Sequence, residues 1–116
     1  MSEVRLKRAY DSAEPKDGTR ILVDRLWPRG LPRSKAKVDH WLRDVAPSTE
    51  LRRWFGHDPA RWAGFRKRYE AELAHNPSLD ELRALIHRDK HVTLLFGARD
   101  AEHNNAVVLR DLLAFR

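Results

Sequence analysis

The sequence contains no cysteine, which excludes disulfide bonds, thiolate nucleophiles and cysteine-ligated metal sites. It also has no apolar run close to the roughly 18 residues that a membrane-spanning helix requires. The opening segment MSEVRLKRAY is polar and charged, so we expect no signal peptide. Together these absences predict a cytoplasmic protein that does not interact with a membrane.

Several catalytic motifs are absent as well. The segments PRGLP and FGHDP each contain a single glycine, so neither resembles a glycine-rich phosphate loop. No GxSxG segment is present for a hydrolase nucleophile. His87 and His91 are four positions apart, but a helix end is predicted between them, which argues against a zinc site. We therefore expect neither a metal nor another cofactor.

The composition is that of a small globular protein with a basic surface. A chain of 116 residues can bury one hydrophobic core but not two, so a single domain over residues 1–116 is predicted. The net charge is +6, and residues 20–53 hold nine Lys and Arg against four Asp and Glu. This bias favours anionic partners, although it is equally typical of a solvated basic surface.

Three segments have the pattern of β-strands. Residues 4–10 begin with alternating apolar and basic side chains, as expected of an edge strand. The runs 21–23 (ILV) and 92–96 (VTLLF) are continuously apolar between turn residues, which is typical of strands buried on both faces. Residues 38–45 fit either a helix or a strand.

Helices are predicted between and after these strands. Ser48 is expected to cap a short helix that ends at Gly56, and residues 58–59 (Asp-Pro) to open the next one. Residues 78–81 (SLDE) have the spacing of a capping box at the start of a third helix. Asp100 is expected to cap a final helix, whose core-facing residues would be Val108, Leu109, Leu112 and Phe115.

The order strand, strand, helices, strand, helix indicates the fold class. Helical connections between apolar strands favour parallel pairing, because a crossover returns the chain to the same end of the sheet. We therefore predict an α/β fold: a small single-domain sandwich with a mostly parallel sheet of about three to four strands and helices packed on it.

Two of the strands are followed by similar polar residues, DRLWPRG after ILV and GARDAEHNN after VTLLF. Ligands of open parallel sheets bind beyond the carboxyl ends of the strands. If these strands are parallel neighbours, an Arg-rich polar pocket forms at that edge, with Asp24 and His103 as candidate catalytic acids or bases. The candidate ligand-binding residues are Arg25, Trp27, Arg29, Trp41, Arg99, Asp100 and Asn104.

Each candidate also has a structural interpretation. Residues 24–25 and 99–100 could form a salt-bridge network that holds the two strands together, because buried charges are usually paired. Asp100 could act only as the helix cap. Trp27 and Trp41 could be core residues, or they could stack on the bases of a nucleic acid.

The segments LVDRLWPRG, WLRDVAPS, LRRWFGHDPARW, FRKRYEAEL and TLLFGARDAEHNNAVVL resemble, in this order, the YeaO-like family of bacterial proteins. The resemblance covers nearly the whole chain and implies a compact α/β domain. It implies no particular activity, cofactor or catalytic residue. The signature residues in this chain are Asp24, Arg25, Trp27, Pro28, Arg29, Gly30, Asp39, Trp41, Pro47, Ser48, Trp54, Phe55, His57, Arg99, Asp100, His103 and Asn104.

Three functions are compatible with these features. The first is binding of an anionic small molecule, a nucleotide or a phosphorylated or carboxylated metabolite, in the predicted pocket. There Asp24 or His103 would act as acid or base while Arg25, Arg29 and Arg99 hold the anion. The second is a nucleic-acid-binding module that uses the basic region 20–53. The third is a partner-binding protein without catalysis, and the sequence indicates no oligomeric state.

Overall fold

Four parallel strands form the centre of the computed structural model, which describes residues 3–113. Phe115, predicted to face the core, lies outside the described residues. The strands are β1 (Glu3–Arg8), β2 (Thr19–Leu22), β3 (His40–Trp41) and β4 (His91–Phe96). Their order in the sheet is β1-β4-β2-β3, and every neighbouring pair is parallel. The predicted α/β fold with a mostly parallel sheet is therefore confirmed, and the ambiguous segment 38–45 contains a short strand.

Within the described residues, five α-helices connect and follow these strands. They are α1 (Arg33–Ala36), α2 (Thr49–Phe55), α3 (Trp62–Leu73), α4 (Pro77–Asp89) and α5 (Asn105–Leu113). The boundaries of α2 follow the sequence closely, because the Ser48 side chain accepts a hydrogen bond from the Leu51 amide and Gly56 ends the helix with a φ of 55°. Within residues 3–113, no helix is long and apolar enough to cross a membrane.

The two faces of the sheet are covered differently. Side chains that alternate along β2 and β4, among them Ile21 and Leu94, pack against α2, α3, α4 and α5 in the main hydrophobic core. The opposite face carries Leu22 and Leu95, which pack against side chains of the β2–β3 connection. Both strands are thus buried on both faces, as their continuous apolar sequence predicts.

The predicted capping box at residues 78–81 is wrong. Helix α4 begins two residues earlier, because Asn76 accepts a hydrogen bond from the Ser78 amide and Pro77 occupies the first helical position. Ser78 therefore lies inside the first turn rather than at its cap.

The predicted cap of the final helix is also wrong. The Asn104 side chain accepts a hydrogen bond from the Val107 amide at 3.1 Å and so caps α5. Asp100 lies in the preceding loop, where its carboxylate accepts hydrogen bonds from the amides of Glu102 and His103. These bonds close a turn before the helix begins, and His103 therefore precedes α5.

Candidate functional site

The carboxyl ends of β2 and β4 bring the two predicted polar segments together. The strands are neighbours, with Leu22 opposite Leu95. Beyond that pair, the Gly97 amide donates a hydrogen bond of 2.7 Å to Oδ2 of Asp24. The turn after β2 and the loop after β4 therefore meet at one edge of the sheet.

A pocket of about 480 Å³ opens at this edge. This volume lies within the range of about 300–1,000 Å³ that is typical of small-molecule sites. Its walls come from residues 24–29, from parts of the segment 46–57 around α2, and from residues within 97–105, together with Tyr10 and Phe65. The pocket thus combines the predicted edge with a helix that the prediction did not include.

The structure places six of the predicted site residues around this pocket: Asp24, Arg25, Trp27, Arg29, His103 and Asn104. Three others do not line it. Trp41 packs edge-on against Trp27 with ring centroids 5.5 Å apart, and Arg99 is exposed on the loop after β4. Asp100 lies behind His103 and contacts its imidazole.

Asp24 is a half-buried carboxylate in the pocket wall. Burial raises its pKa above the ordinary value of 3.8, and hydrogen bonds from the Gly97 amide and the Asn105 side chain offset only part of the rise. A Cβ atom at position 97 would lie 3.2 Å from Oδ2 of Asp24, so a glycine allows this close approach. The Asp24 carboxyl therefore binds its proton more tightly in this environment than an aspartate carboxyl does in water.

His103 is held by Asp100. The distance between Nδ1 of His103 and Oδ2 of Asp100 is 2.9 Å, and the Trp62 ring meets the imidazole edge-on at 5.2 Å. Hydrogen bonds from the Glu102 amide and from His103 lower the pKa of Asp100, so its carboxylate is ionised near neutral pH. Since an ionised carboxylate only accepts hydrogen bonds, Nδ1 carries the hydrogen and Nε2 is left for a ligand.

Four arginines line the pocket, Arg25, Arg29, Arg52 and Arg53, and Asp24 is the one acidic residue among its described lining residues. Within residues 3–113, the side chains of Arg29, Arg52 and Arg53 form no ion pair within 4.0 Å. The pocket therefore has an excess of positive charge that the described residues do not neutralise.

Arg25 is held only weakly in its position. Its Nη2 donates to the Ala46 carbonyl at 3.3 Å, and its Nη1 lies 3.9 Å from the largely exposed carboxylate of Asp44. Its Nε is buried without a hydrogen-bond partner among the described residues. The guanidinium is therefore not locked into a strong structural ion pair and can turn toward a ligand.

The predicted alternative of a salt-bridge network between residues 24–25 and 99–100 does not form. Asp24 is bound by a backbone amide, Arg25 approaches Asp44, and Asp100 binds His103. These contacts leave the two polar segments joined by main-chain and amide hydrogen bonds rather than by paired charges.

Sequence reasoning missed the contribution of α2 and of the turn after it. Leu51 and Phe55 face the core, which leaves Arg52 and Arg53 free to face outward at the pocket. His57 follows Gly56 and also has a left-handed backbone, with a φ of 57°. A non-glycine residue in this conformation is uncommon, but the sequence alone shows only a helix stop there.

Asn105, which follows Asn104, also lines the pocket although it is not among the predicted site residues. Its Nδ2 donates to the Val23 carbonyl at 2.9 Å, so it ties the start of α5 to the end of β2. No cluster of three or more potential metal ligands occurs within residues 3–113.

These features define a small parallel α/β protein with a cationic pocket at the carboxyl edge of its sheet. The chain belongs to the family described as the inactive DUF488-N3 subclade, whose profile matches residues 3–116. This membership agrees with the resemblance to YeaO-like proteins that the sequence motifs indicated.

Two relatives illustrate the similarity. The uncharacterized protein YeaO of Escherichia coli (strain K12) is 44% identical over 110 residues, which cover 95% of this chain and 96% of the relative. The uncharacterized protein Rv3073c of Mycobacterium tuberculosis (strain ATCC 25618 / H37Rv) is 43% identical over 112 residues, covering 97% and 94% of the two chains. No solved structure matches the chain significantly.

Proposed function

We propose that the pocket binds an anionic small molecule, a nucleotide or another phosphorylated or carboxylated metabolite. The observation that carries this proposal is that four arginines and a single acidic residue line one pocket in the described part of the chain. Like charges at short range repel one another, and one carboxylate cannot offset four cations. An anionic ligand would neutralise them and accept their hydrogen bonds.

The position of the pocket supports the same proposal. It lies at the carboxyl edge of neighbouring parallel strands, where ligands of such sheets bind. Helix α5 begins at Asn105, which lines the pocket, so the positive end of the helix dipole lies at this wall. The helix dipole and the guanidinium groups would both attract an anion.

Binding without turnover is the form of this function that we favour, because the matching family is described as inactive. The pairing of Asp100 with His103 supports a second candidate, acid–base chemistry on the bound anion through Nε2. If this second candidate holds, His103→Gln should abolish turnover of a bound ligand while its affinity stays within about threefold, as followed by NMR of the ligand.

The surroundings of the tryptophans give less support to nucleic-acid binding. Trp27 and Trp41 pack over Leu22 and Leu95, and both indole N–H groups donate to main-chain carbonyls. The guanidinium of Arg33 lies 4.3 Å from the Trp27 ring centroid, and that of Arg43 lies 4.1 Å from the Trp41 centroid. The ring faces that would stack on bases are therefore already in contact with protein groups.

A ligand screen tests the proposal. Nucleotides, sugar phosphates, organic acids and short oligonucleotides are added to the protein at low and moderate salt, and the unfolding temperature is measured. We expect small anions to stabilise the protein, and Arg29→Ala and Arg52→Gln to remove the effect.

Arg83→Gln is the matched control, because Arg83 lies on α4 outside this pocket and pairs with Asp80. It loses the same charge and should keep the full stabilisation. Stabilisation by oligonucleotides alone, lost steeply with salt and reduced equally by all three substitutions, would contradict the proposal and favour a nucleic-acid interface.

A further inference from the structure

Two apolar residues of the pocket are exposed. Among residues 3–113, the large hydrophobic side chains with high exposure are Tyr10, at 41%, and Leu26, at 64%. Both line the same pocket. Isolated exposed apolar residues need no explanation, but their coincidence at the mouth of one cavity indicates a ligand with an apolar surface.

The mouth is also held in place. The hydroxyl of Tyr10 donates to the Arg29 carbonyl at 2.8 Å and joins the segment after β1 to the turn after β2. In the same turn, Nε1 of Trp27 donates to the Leu31 carbonyl at 2.8 Å. Leu26 directly precedes Trp27 in this anchored turn and is exposed at the pocket.

The pocket is lined by cationic and apolar residues together. Arg29 and Leu26 belong to the same turn after β2. Arg52 and Arg53 line the pocket together with Phe55, whose ring is stacked on Phe65 with centroids 4.3 Å apart. A ligand that fills the pocket therefore meets charge and apolar surface together.

The number of positive charges in the pocket indicates how strongly charged the bound anion is. Four guanidinium groups against one carboxylate suit a group with about two negative charges better than a monocarboxylate. A phosphate monoester carries a charge of about −1.5 to −2 at pH 7, and its oxygens match the planar donor pairs of arginine.

We infer that the ligand is a phosphate monoester whose organic group is apolar, an inference that rests on the proposed function. The phosphate lies among the pocket arginines, and the organic group covers Leu26 and Tyr10. A ligand of this class therefore has a doubly charged phosphate at one end and an apolar group at the other.

Calorimetric titration with four probes tests this inference: phenyl phosphate, glycerol phosphate, inorganic phosphate and benzoate. Phenyl phosphate is expected to bind about tenfold more tightly than glycerol phosphate or inorganic phosphate, because only its ring covers the apolar mouth. It is also expected to bind about tenfold more tightly than benzoate, which has the ring but a single charge.

Two variants separate the contributions. Leu26→Ser replaces an exposed side chain, so the fold should persist, and the advantage of phenyl phosphate should shrink to less than about threefold while inorganic phosphate binds as before. Arg52→Gln should weaken all four probes, and Arg83→Gln none.

The outcomes distinguish the two levels of the proposal. If phenyl phosphate binds no more tightly than inorganic phosphate, or if benzoate equals it, the inferred ligand class is wrong although the pocket still binds anions. If none of the four probes binds, and the wider set of anions in the screen also leaves the unfolding temperature unchanged, the proposed function itself fails.

Discussion

At the scale of single residues, Asp24 has an environment unlike that of the other acidic residues with shifted pKa values. It lies where β2 has just ended and accepts a hydrogen bond from Gly97 just beyond β4, so it joins the two strands at the pocket. Its pKa is raised by burial, whereas hydrogen bonds lower those of Asp89 and Asp100. Asp24 therefore makes a contribution of opposite sign to the pH dependence of stability.

Asp24→Asn tests this contribution. A carboxyl whose folded-state pKa is raised binds its proton more tightly when folded, so its stabilising effect is complete below pH 3.8 and is lost as pH rises through the raised value. The variant cannot titrate and should therefore gain stability relative to the wild type across that window. Urea unfolding from pH 3 to pH 8 measures the difference, and a difference that stays constant with pH would contradict the raised pKa.

The candidate residues show what a sequence can predict at this scale. The common edge of parallel neighbouring strands predicts Asp24, Arg25, His103 and Asn104 as site residues, and the structure places all four at the pocket. Arg52 could not be selected in the same way. It belongs to a helix outside that edge, and only the tertiary packing of α2 turns its exposed side toward the site.

At the scale of elements, the start of α2 is tied directly to α3. The Ser48 hydroxyl accepts from the Leu51 amide at 3.1 Å and donates to Oε2 of Glu72 at 2.6 Å. The Ser48 amide donates to Oε1 of the same carboxylate at 2.9 Å. One serine thus caps one helix and fixes its position against the next, which in turn positions the pocket face of α2.

Ser48→Ala should reduce the free energy of unfolding by about 1–2 kcal/mol, because it removes the cap and leaves Glu72 with fewer donors. Ser78→Ala is the matched control. Ser78 lies in the first turn of α4, and its hydroxyl has no hydrogen bond to another residue within 3–113. Its removal should change stability by less than about 0.5 kcal/mol in urea unfolding. An equal loss in both variants would mean that Ser78 does cap α4.

The elements that sequence reasoning placed well are those with local signals. Ser48 caps the start of α2 with its side chain, and Gly56 ends the helix with its left-handed backbone. Helix α4 begins at the cap residue Asn76 and at Pro77, and not at the capping-box sequence that follows them. Strand β3 has no comparable local signal. Its position follows from hydrogen bonds to β2, such as the one from the Leu42 amide to the Leu22 carbonyl at 2.9 Å, so only the assembled sheet defines it.

At the scale of the whole molecule, the second face of the sheet is closed partly by buried charge. Asp17 and Arg20 are each only 4% exposed, and Oδ2 of Asp17 lies 2.6 Å from Nη1 of Arg20. Lys7 approaches the same carboxylate at 3.2 Å, and the Thr93 hydroxyl donates to the Asp17 carbonyl. Asp17 belongs to a segment whose composition is typical of a surface loop, so its burial could not be predicted from the sequence.

Breaking this pair should destabilise the whole domain. Asp17→Asn leaves the Arg20 guanidinium buried without a counter-charge, although the Ala36 carbonyl still accepts two of its hydrogen bonds. We expect a loss of about 3–5 kcal/mol in urea unfolding at pH 7, the range typical of a broken buried pair. Asp80→Asn, which breaks the exposed pair with Arg83, should cost far less.

The pH profile and a second substitution show whether this ion pair is the cause. Burial tends to raise the pKa of Asp17, but hydrogen bonds from Glu14, Lys7 and Arg20 outweigh it and hold the pKa below 3.8. Its stabilising effect is therefore present above pH 3.8 and is lost as pH falls through the lowered value. On acidification from pH 7, the stability of Asp17→Asn should therefore fall less than that of the wild type. Adding Arg20→Met removes the unpaired guanidinium and should restore part of the loss at pH 7. Strictly additive losses would show that the two side chains stabilise the sheet independently, and the buried pair would then not be what closes this face.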